Sequence, residues 1–427
     1  MKYGNGKMDR FIINGGNSLF GSPIISAAKN SVLPIIAASV MLCGKTPINN
    51  CPEIDDVFVM SDIISRLGGK TEFDTTGLTI DAADLKKWVL PCELTSKIRA
   101  SLFVVGGLLT RFGCAEICKA GGCNIGERPM DIHISAFRQL GVDVYEGETV
   151  TFRKKTDKGG KVRLRYPSVG ATENIMIFAA GLNGETTIEN AAREPEIIDL
   201  QNYLKSLGVN VSGAGGDCIV INGCERKEVG EVYFTPSKDR IEAGTFLFAG
   251  AICGGEMEFG REDLRDLTAV KKILVNNACK IRSKNDKIEV VEFCGKNRGY
   301  GKVVVNPYPA FPTDLQPQLV ASSCLARGVT VVEENVFPER FGYCSELLKM
   351  GADISIGKNL CAVNGVKTLV GTTLIATDLR GGAALTVAAL GAEGRSQILG
   401  IHHIDRGYNA FDRKLRLLGA DVTRITI

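Results

Sequence analysis

The chain reads as an α/β protein of two pseudo-symmetric, inside-out domains, each built from three repeated units whose strands face outward around buried helices. Three features lead to that reading. One step recurs, in which a helical pattern ends in Leu-Gly or Met-Gly and runs into a short alternating strand: SRLGGKTEF, RQLGVDVYE, KSLGVNVSG, KMGADISIG and RLLGADVTRITI. Its glycines, Gly68, Gly141, Gly208, Gly351 and Gly419, lie 73, 67, 143 and 68 residues apart, and the long gap centres on LVNNACKIRS, a degenerate copy around Asn277. Six units of about seventy residues follow. The second feature is an Ala-rich helix ahead of the step, as in SVLPIIAASVMLCG, ENIMIFAAGLNG, EAGTFLFAGAICGG, LVASSCLARG and AALTVAALGAEG. Such helices are apolar nearly all round, which places them inside. The third is size: 427 residues, 44% of them hydrophobic, exceed one ordinary core and suffice for two.

Taken in order, FIINGGNSLFGSPII reads as a strand, a Gly turn and a second strand, ahead of an inner helix that begins near Ala28. The terminal Arg424-Ile425-Thr426-Ile427 is another strand, and the first strands are expected to complete the last unit. The chain then crosses between domains near Ala28 and near Ser237. Residues 29–237 form one domain, residues 1–28 with 238–427 form the other, and an active site is expected in the cleft between them. Amphipathic outer helices are expected over Asp55–Leu67, Asp131–Leu140, Glu196–Leu207, Arg340–Met350 and Tyr408–Leu418. Glu225–Lys238, a polar stretch, is the expected linker. Each Gly of the recurring step should end its helix in a left-handed conformation.

Composition narrows the function. A net charge of +3 gives no global field for nucleic acid or an anionic membrane. Ser31–Cys43, the longest apolar run near the N-terminus, is too short to span a bilayer and contains Pro34. MKYGNGKMDRF lacks the apolar core of a secretory signal, so a cytoplasmic protein is expected. The fourteen cysteines are irregularly spaced, without a CxxC pair or matching histidines, so the thiols are expected to be reduced, mostly buried and free of zinc.

Chemistry gathers in Cys118-Lys119-Ala120-Gly121-Gly122-Cys123-Asn124-Ile125-Gly126-Glu127-Arg128-Pro129-Met130-Asp131. Here Gly-Gly gives a mobile turn and neighbouring cations favour a thiolate at Cys123. The inner helices open on Lys29-Asn30, Arg99, Ser168, Asp239-Arg240, Thr313-Asp314 and Asp378-Leu379-Arg380. Capping accounts for Ser168 and Asp314. It does not account for Lys29, Arg99, Arg240 and Arg380, because cations at helix N-termini oppose the macrodipole. Four such places imply an anion among the helix ends. Arg340 and Arg406 are either ordinary surface residues or the completion of a polyanion pocket. His402-His403, with no third ligand in view, reads as structural.

The motifs AAKNSVLP, IRAS, GGCNIGERPMDIH, PSVGATENIM, ENAAREPEI, DRIEAGTF, FPTDLQPQ, FPERF, ATDLR and HHIDRGY occur in an order that resembles the UDP-N-acetylglucosamine enolpyruvyl transferases (1-carboxyvinyltransferases), from about Met8 to Ile427. The resemblance implies two inside-out α/β domains and an addition–elimination between phosphoenolpyruvate and a sugar hydroxyl, without metal or cofactor, early in peptidoglycan precursor synthesis. It implies Cys123 as proton donor and site of a pyruvate adduct, and Asp314 as base or orienter at the hydroxyl. Lys29 and Arg406 join the catalytic set. Phosphoenolpyruvate would be held by Lys29, Asn30, Arg128 and Arg406, with Arg340 and Arg380 in support. The nucleotide sugar would be held by Asn30, Arg99, Arg128, Pro129, Met130, Asp131, Ile132, Tyr166, Pro167, Ser168, Val169, Asp314 and Val336. The partners implied are small molecules, not nucleic acid or a membrane. Ala120, Asn124 and Glu127 depart from the family's usual lid, and Ala120 loosens a turn that Pro would stiffen. Alternatives are the related transfer to shikimate 3-phosphate, a non-catalytic nucleotide-sugar binder, and a thiol-redox protein using Cys114, Cys118 and Cys123.

Overall fold

The computed structural model describes residues 9–118, 130–224, 230–295 and 297–426. These residues form two compact domains, one from residues 27–118 and 130–237, the other from 9–26 and 238–426. Among them lie six sheets on one plan, a parallel edge and then three antiparallel strands; in four the edge is a full strand, and in two it is made by isolated parallel bridges. In the third sheet Lys161–Arg163 lies parallel to Gly184–Glu189, followed by Cys218–Gly223 and Asn210–Ser212. In the first sheet the parallel edge is the linker itself, through bridges of Glu231 to Lys45 and Phe234 to Ile48.

The N-terminal strands explain the chain's double crossing. Arg10–Asn14 lies between Arg395–Leu399 and Asp421–Ile425, so Ile12 faces Gln397 on one side and Thr423 on the other. It is the missing third strand of the last repeat. Leu19–Gly21 goes elsewhere and forms the parallel edge of the fourth sheet, with Leu19 opposite Gly255. The expectation that both strands serve the last unit holds for the first strand only.

Six inner helices carry the core: α1 (Lys29–Ser39), α2 (Val104–Phe112), α3 (Val169–Ala179), α4 (Arg240–Cys253), α5 (Gln316–Ser323) and α6 (Leu379–Leu390). Every residue of α6 is buried, and so is all of α4 except Cys253. Each aromatic side chain buried there contributes roughly 1.5–3 kcal/mol. Close helix contact is possible at α2 because it carries Gly106-Gly107. A Cβ on Gly106 would lie 2.5 Å from the Asn174 carbonyl of α3, and one on Gly107 would lie 2.7 Å from the Ala37 carbonyl of α1. Phe137 of the outer helix Asp131–Gln139 then packs edge-on to Phe152 and Phe178, at 5.4 and 5.6 Å, and ties sheet, outer helix and α3 together.

The recurring glycines behave as their position demands. Gly68, Gly141, Gly208, Gly351 and Gly419 have φ of 108°, 72°, 84°, 89° and 97°, a region costly for residues with a Cβ. The degenerate copy ends at Ala278 instead, after the helix Thr268–Asn277. Outer helices are shorter than expected toward the C-terminus. Over 340–350 only Cys344–Lys349 is helical, because Arg340 and Phe341 close tight turns onto Phe337 and Glu339. The last helix is Phe411–Leu417, preceded by Ala410 at φ 48°.

Two expectations about cysteine are corrected. Cys92 and Cys118 are joined in a disulfide, so these two thiols are not reduced. Of the eleven free cysteines described, Cys51, Cys279, Cys324, Cys344 and Cys361 are buried and the rest reach the surface in part or fully. Among the described residues no helix is long and apolar enough to cross a membrane.

Candidate active site

In the first domain the start of α1 carries Lys29, whose ammonium pairs with Asp56 at 2.6 Å with both side chains buried. Asp56 comes from the first turn of the outer helix Asp55–Leu67. A buried ammonium without a counter-charge is costly, so the carboxylate fixes Lys29 as well as neutralising it. Asn30 follows, half-buried. Pro34, inside α1, carries no N–H, so the helix ladder makes no claim on the Asn30 carbonyl.

A second group surrounds Arg99, which opens the 3₁₀ turn Arg99–Phe103. Burial lowers its pKa and the Asp131 carboxylate opposes that effect. Asp131 gives one carboxylate oxygen to Arg165, and its other oxygen, Oδ1, is buried with no hydrogen-bond partner among the described residues. Met130 and Ile132 flank it, half-buried. His133, two residues on, is held neutral: burial, then the Arg99 charge, lowers its pKa to about 3. The hydrogen bonds require the same state. Asn174 accepts from Gly106 N–H at 2.8 Å, so its Nδ2 must donate, to Leu102 O at 2.9 Å and to His133 Nδ1 at 3.2 Å. His133 Nδ1 is therefore an acceptor.

Tyr166, Pro167, Ser168 and Val169 form the entry to α3, with Tyr166 exposed. Ser168 caps the helix, its Oγ accepting from Ala171 N–H at 3.3 Å. Glu173, one turn along, is buried near Glu194 and Glu196. Burial first and those two charges next raise its pKa well above the usual carboxyl range.

In the second domain Asp314 is the hub. It accepts from Arg340 Nη1 at 2.8 Å and from Arg380 Nη2 at 3.1 Å. Both arginines are buried, at 4% and 3% exposure, so this carboxylate balances two interior charges. Burial works against the Arg380 charge, but Asp314, Tyr408 and Asp239 outweigh it and raise its pKa. The expected role of Asp314 as an N-cap is corrected: Pro312 stands at that cap and makes no side-chain cap bond. The capping acids are Asp239, which takes Ile241 and Glu242 N–H, and Asp378, which takes Arg380 and Gly381 N–H.

Glu334, fully buried, ties the neighbouring loops. It accepts from Thr313 Oγ1 at 2.9 Å and from the N–H groups of Val336 and Phe337 at 2.8 and 3.0 Å, which positions Val336. Burial raises its pKa against those hydrogen bonds. Arg240 lies over the Tyr308 ring at 5.5 Å. Arg406 is half-buried beyond the short helix His402–Asp405. The rings of His402 and His403 lie 4.1 Å apart, tilted by 38°, and burial, His402 and Arg406 lower the His403 pKa to about 4.

Within each domain, then, candidate residues meet carboxylate partners. Asp56, Arg165 and Glu334 were absent from the sequence-based site, as were His133 and Asn174. Asp56 had a visible signal, an acidic first turn, but nothing in the sequence pairs it with Lys29. Cys123, Arg128 and Pro129, with Ala120, Asn124 and Glu127, lie outside the described residues.

Known proteins place this arrangement. The family of the EPSP synthases (3-phosphoshikimate 1-carboxyvinyltransferases) matches residues 13–415. The UDP-N-acetylglucosamine 1-carboxyvinyltransferase 2 of Caldanaerobacter subterraneus subsp. tengcongensis is 41% identical, over 98% of this chain and 100% of its own length. That of Trichlorobacter lovleyi is 40% identical over the same shares. The enolpyruvyl transferase NikO from Streptomyces tendae superposes with a TM-score of 0.88 at 25% identity, covering 99% of this chain and 100% of NikO. An EPSP synthase from Acinetobacter baumannii shares the fold, with a TM-score of 0.72 at 18% identity over 98% of this chain and 100% of its own. The chain belongs to the enolpyruvyl transferase family, among the 1-carboxyvinyltransferases.

Proposed function

We infer that the chain transfers the enolpyruvyl group of phosphoenolpyruvate to the 3-hydroxyl of UDP-N-acetylglucosamine and releases phosphate, as a cytoplasmic enzyme of peptidoglycan precursor synthesis. The observation that carries the reading is Asp314 between Arg340 and Arg380, together with near-full-length likeness to relatives of that name. The Cys123 thiol gives its proton to the terminal enol carbon, which makes the neighbouring carbon electrophilic. The sugar hydroxyl adds there and Asp314 takes or orients its proton. The tetrahedral phospho-ketal then loses a proton from the methyl carbon and expels phosphate. Lys29, Asn30, Arg128 and Arg406 neutralise phosphate and carboxylate. Arg340 and Arg380 act chiefly through Asp314, since their guanidinium groups already hold it.

For the nucleotide sugar we assign Arg99, Arg128, Pro129, Met130, Asp131, Ile132, Tyr166, Pro167, Ser168, Val169 and Val336. The Oδ1 of Asp131, which has no hydrogen-bond partner among the described residues, supports an acceptor role toward a base N–H. Mixing the protein with phosphoenolpyruvate and UDP-N-acetylglucosamine should release phosphate, and Cys123→Ser should abolish it. Release with shikimate 3-phosphate, and none with the uridine sugar, would move the chain to the other branch. Binding without turnover would make it a nucleotide-sugar binder.

A further inference from the structure

Cys92 and Cys118 meet for a reason legible in the backbone. The strand Cys114–Cys118 runs parallel to the segment before Cys92: Glu116 N–H donates to Trp88 O at 3.0 Å and Leu90 N–H donates to Glu116 O at 2.9 Å. Pro91 then turns the chain into the short helix Cys92–Thr95. Cys92 is thereby set beside Cys118 with their Cα atoms 5.3 Å apart, inside the span a disulfide needs. Cys92 is exposed and Cys118 half-buried, so small thiols and disulfides reach the pair. Cys114 does not compete for Cys118, because four residues of strand separate them by roughly 13 Å.

Five other thiols lack that combination. Cys344 and Cys361 touch, but both are fully buried, and their mutual contact with burial raises the Cys344 pKa. Burial pushes Cys253, Cys279 and Cys324 up to about 12, which suppresses the thiolate that exchange needs.

We propose that Cys92 and Cys118 are a redox modification site, an exchangeable dithiol–disulfide pair closed by a low-molecular-weight disulfide and reopened by a low-molecular-weight thiol. The exposed Cys92 thiolate attacks one sulfur of the small disulfide and expels one small thiolate. The Cys118 thiolate then attacks the Cys92 sulfur of the mixed disulfide and expels the second. Two protein thiols are oxidised, one small disulfide is reduced to two thiols, and the two protons go to those leaving groups. The closed bond ties the last residue of the strand to the short helix. It also withholds Cys118 from Cys123, five residues further along the sequence.

The test uses the full chain, reduced, desalted and equilibrated across ratios of reduced to oxidised glutathione, then alkylated and mapped by peptide mass. One cross-linked peptide pair, Cys92 with Cys118, should form as the ratio falls, with free thiols dropping from 14 to 12. Excess reduced glutathione should reverse it. In Cys92→Ser, Cys118 should appear only free or as a glutathione mixed disulfide. Pairing of Cys118 with Cys123 or Cys114 in the unaltered chain, no Cys92–Cys118 peptide at any ratio, or a bond that reductant does not open would each overturn the proposal. Transferase turnover plays no part in the readout, so the result stands apart from the function proposed above.

Discussion

Three helix starts are capped by a side chain and three are not, although all six stand in equivalent places of a sixfold repeat. Ser168, Asp239 and Asp378 bond the first free N–H groups of α3, α4 and α6. Ala28, Ile98 and Pro312 offer no such bond ahead of α1, the Arg99 turn and the Asp314 turn. A cap contributes about 1 kcal/mol, so each uncapped start forgoes stability that its relatives keep. What stands there instead is Lys29, Arg99 or Asp314, each engaged with charges on other elements. The difference teaches that the repeat supplies six helix ends of one design, and that function takes over those where the cap has been given up.

The largest effect should come from Asp314. Asp314→Ala would leave Arg340 and Arg380 buried without their carboxylate, and should cost roughly 3–5 kcal/mol of stability, read from urea unfolding. Asp314→Asn keeps an acceptor oxygen and should lose far less stability. Phosphate release should still fall by about 10²–10⁴-fold, as for loss of a general acid–base group. If Asp314→Asn turns over within tenfold of the unaltered chain, Asp314 braces two arginines and does no chemistry.

Such a bracing network was not legible in the sequence, although the repeat was. The Leu-Gly step and the apolar helices are local patterns, and local patterns survive in a string of letters. Arg340 to Asp314 to Arg380 joins two elements of the fifth repeat to the start of the sixth, and no periodicity encodes which carboxylate meets which cation. Asp314 therefore read as a cap, because Asp before an apolar helix usually is one. Asp239 and Asp378 are the caps in fact, yet they stood out in the sequence for the arginines beside them. The rule that a cation at a helix start needs an anion was right in kind. For Lys29 and Arg380 the anions include carboxylates of the protein itself.

The uncapped Arg99 turn is tied to α3 through one of its carbonyls, and acid should expose that tie. Asn174 binds Leu102 O within that turn and also His133 Nδ1, so a proton on His133 would set one donor against another. With the folded pKa at about 3 and the ordinary value at 6.5, the unfolded chain binds a proton that the folded chain refuses. Above pH 6.5 this group leaves stability unchanged. Stability should fall as pH drops from 6.5 toward 3, by up to about 1.4 kcal/mol per pH unit. Urea midpoints measured from pH 7 to 4 should fall more steeply for the unaltered chain than for His133→Gln. Parallel profiles would mean that His133 takes up its proton without strain, and that the turn does not depend on this network.

Asp131 tests the same turn from the ligand side. Its Oδ1 is the one carboxylate oxygen in this group without a hydrogen-bond partner among the described residues, while Arg165 holds the other. Asp131→Ala should weaken UDP-N-acetylglucosamine by roughly 1–3 kcal/mol in calorimetric titration and leave phosphoenolpyruvate nearly unchanged. Equal weakening of both ligands would point to a general disturbance of Arg99 rather than a contact with the base.

The smallest effect is the sharpest test of the comparison, because Ser168 is a cap that is also assigned to the nucleotide sugar. Two of the three capping residues are Asp and this one is Ser. A hydroxyl that accepts from Ala171 N–H still has its own proton to give, whereas a carboxylate has none. A diphosphate approaching the start of α3 would meet a donor at Ser168 and a repelling charge if Asp stood there. Ser168→Ala should cost only about 0.5–1 kcal/mol of stability, since the bond lost is 3.3 Å long, with a modest loss of UDP-N-acetylglucosamine affinity. Ser168→Asp separates the two roles. It restores the cap, so unfolding should return to the unaltered value or pass it, while affinity for the sugar nucleotide should drop further than in Ser168→Ala. Should Ser168→Asp bind as tightly as the unaltered chain, no phosphate comes near this helix end, and Ser168 is a cap like Asp239 and Asp378.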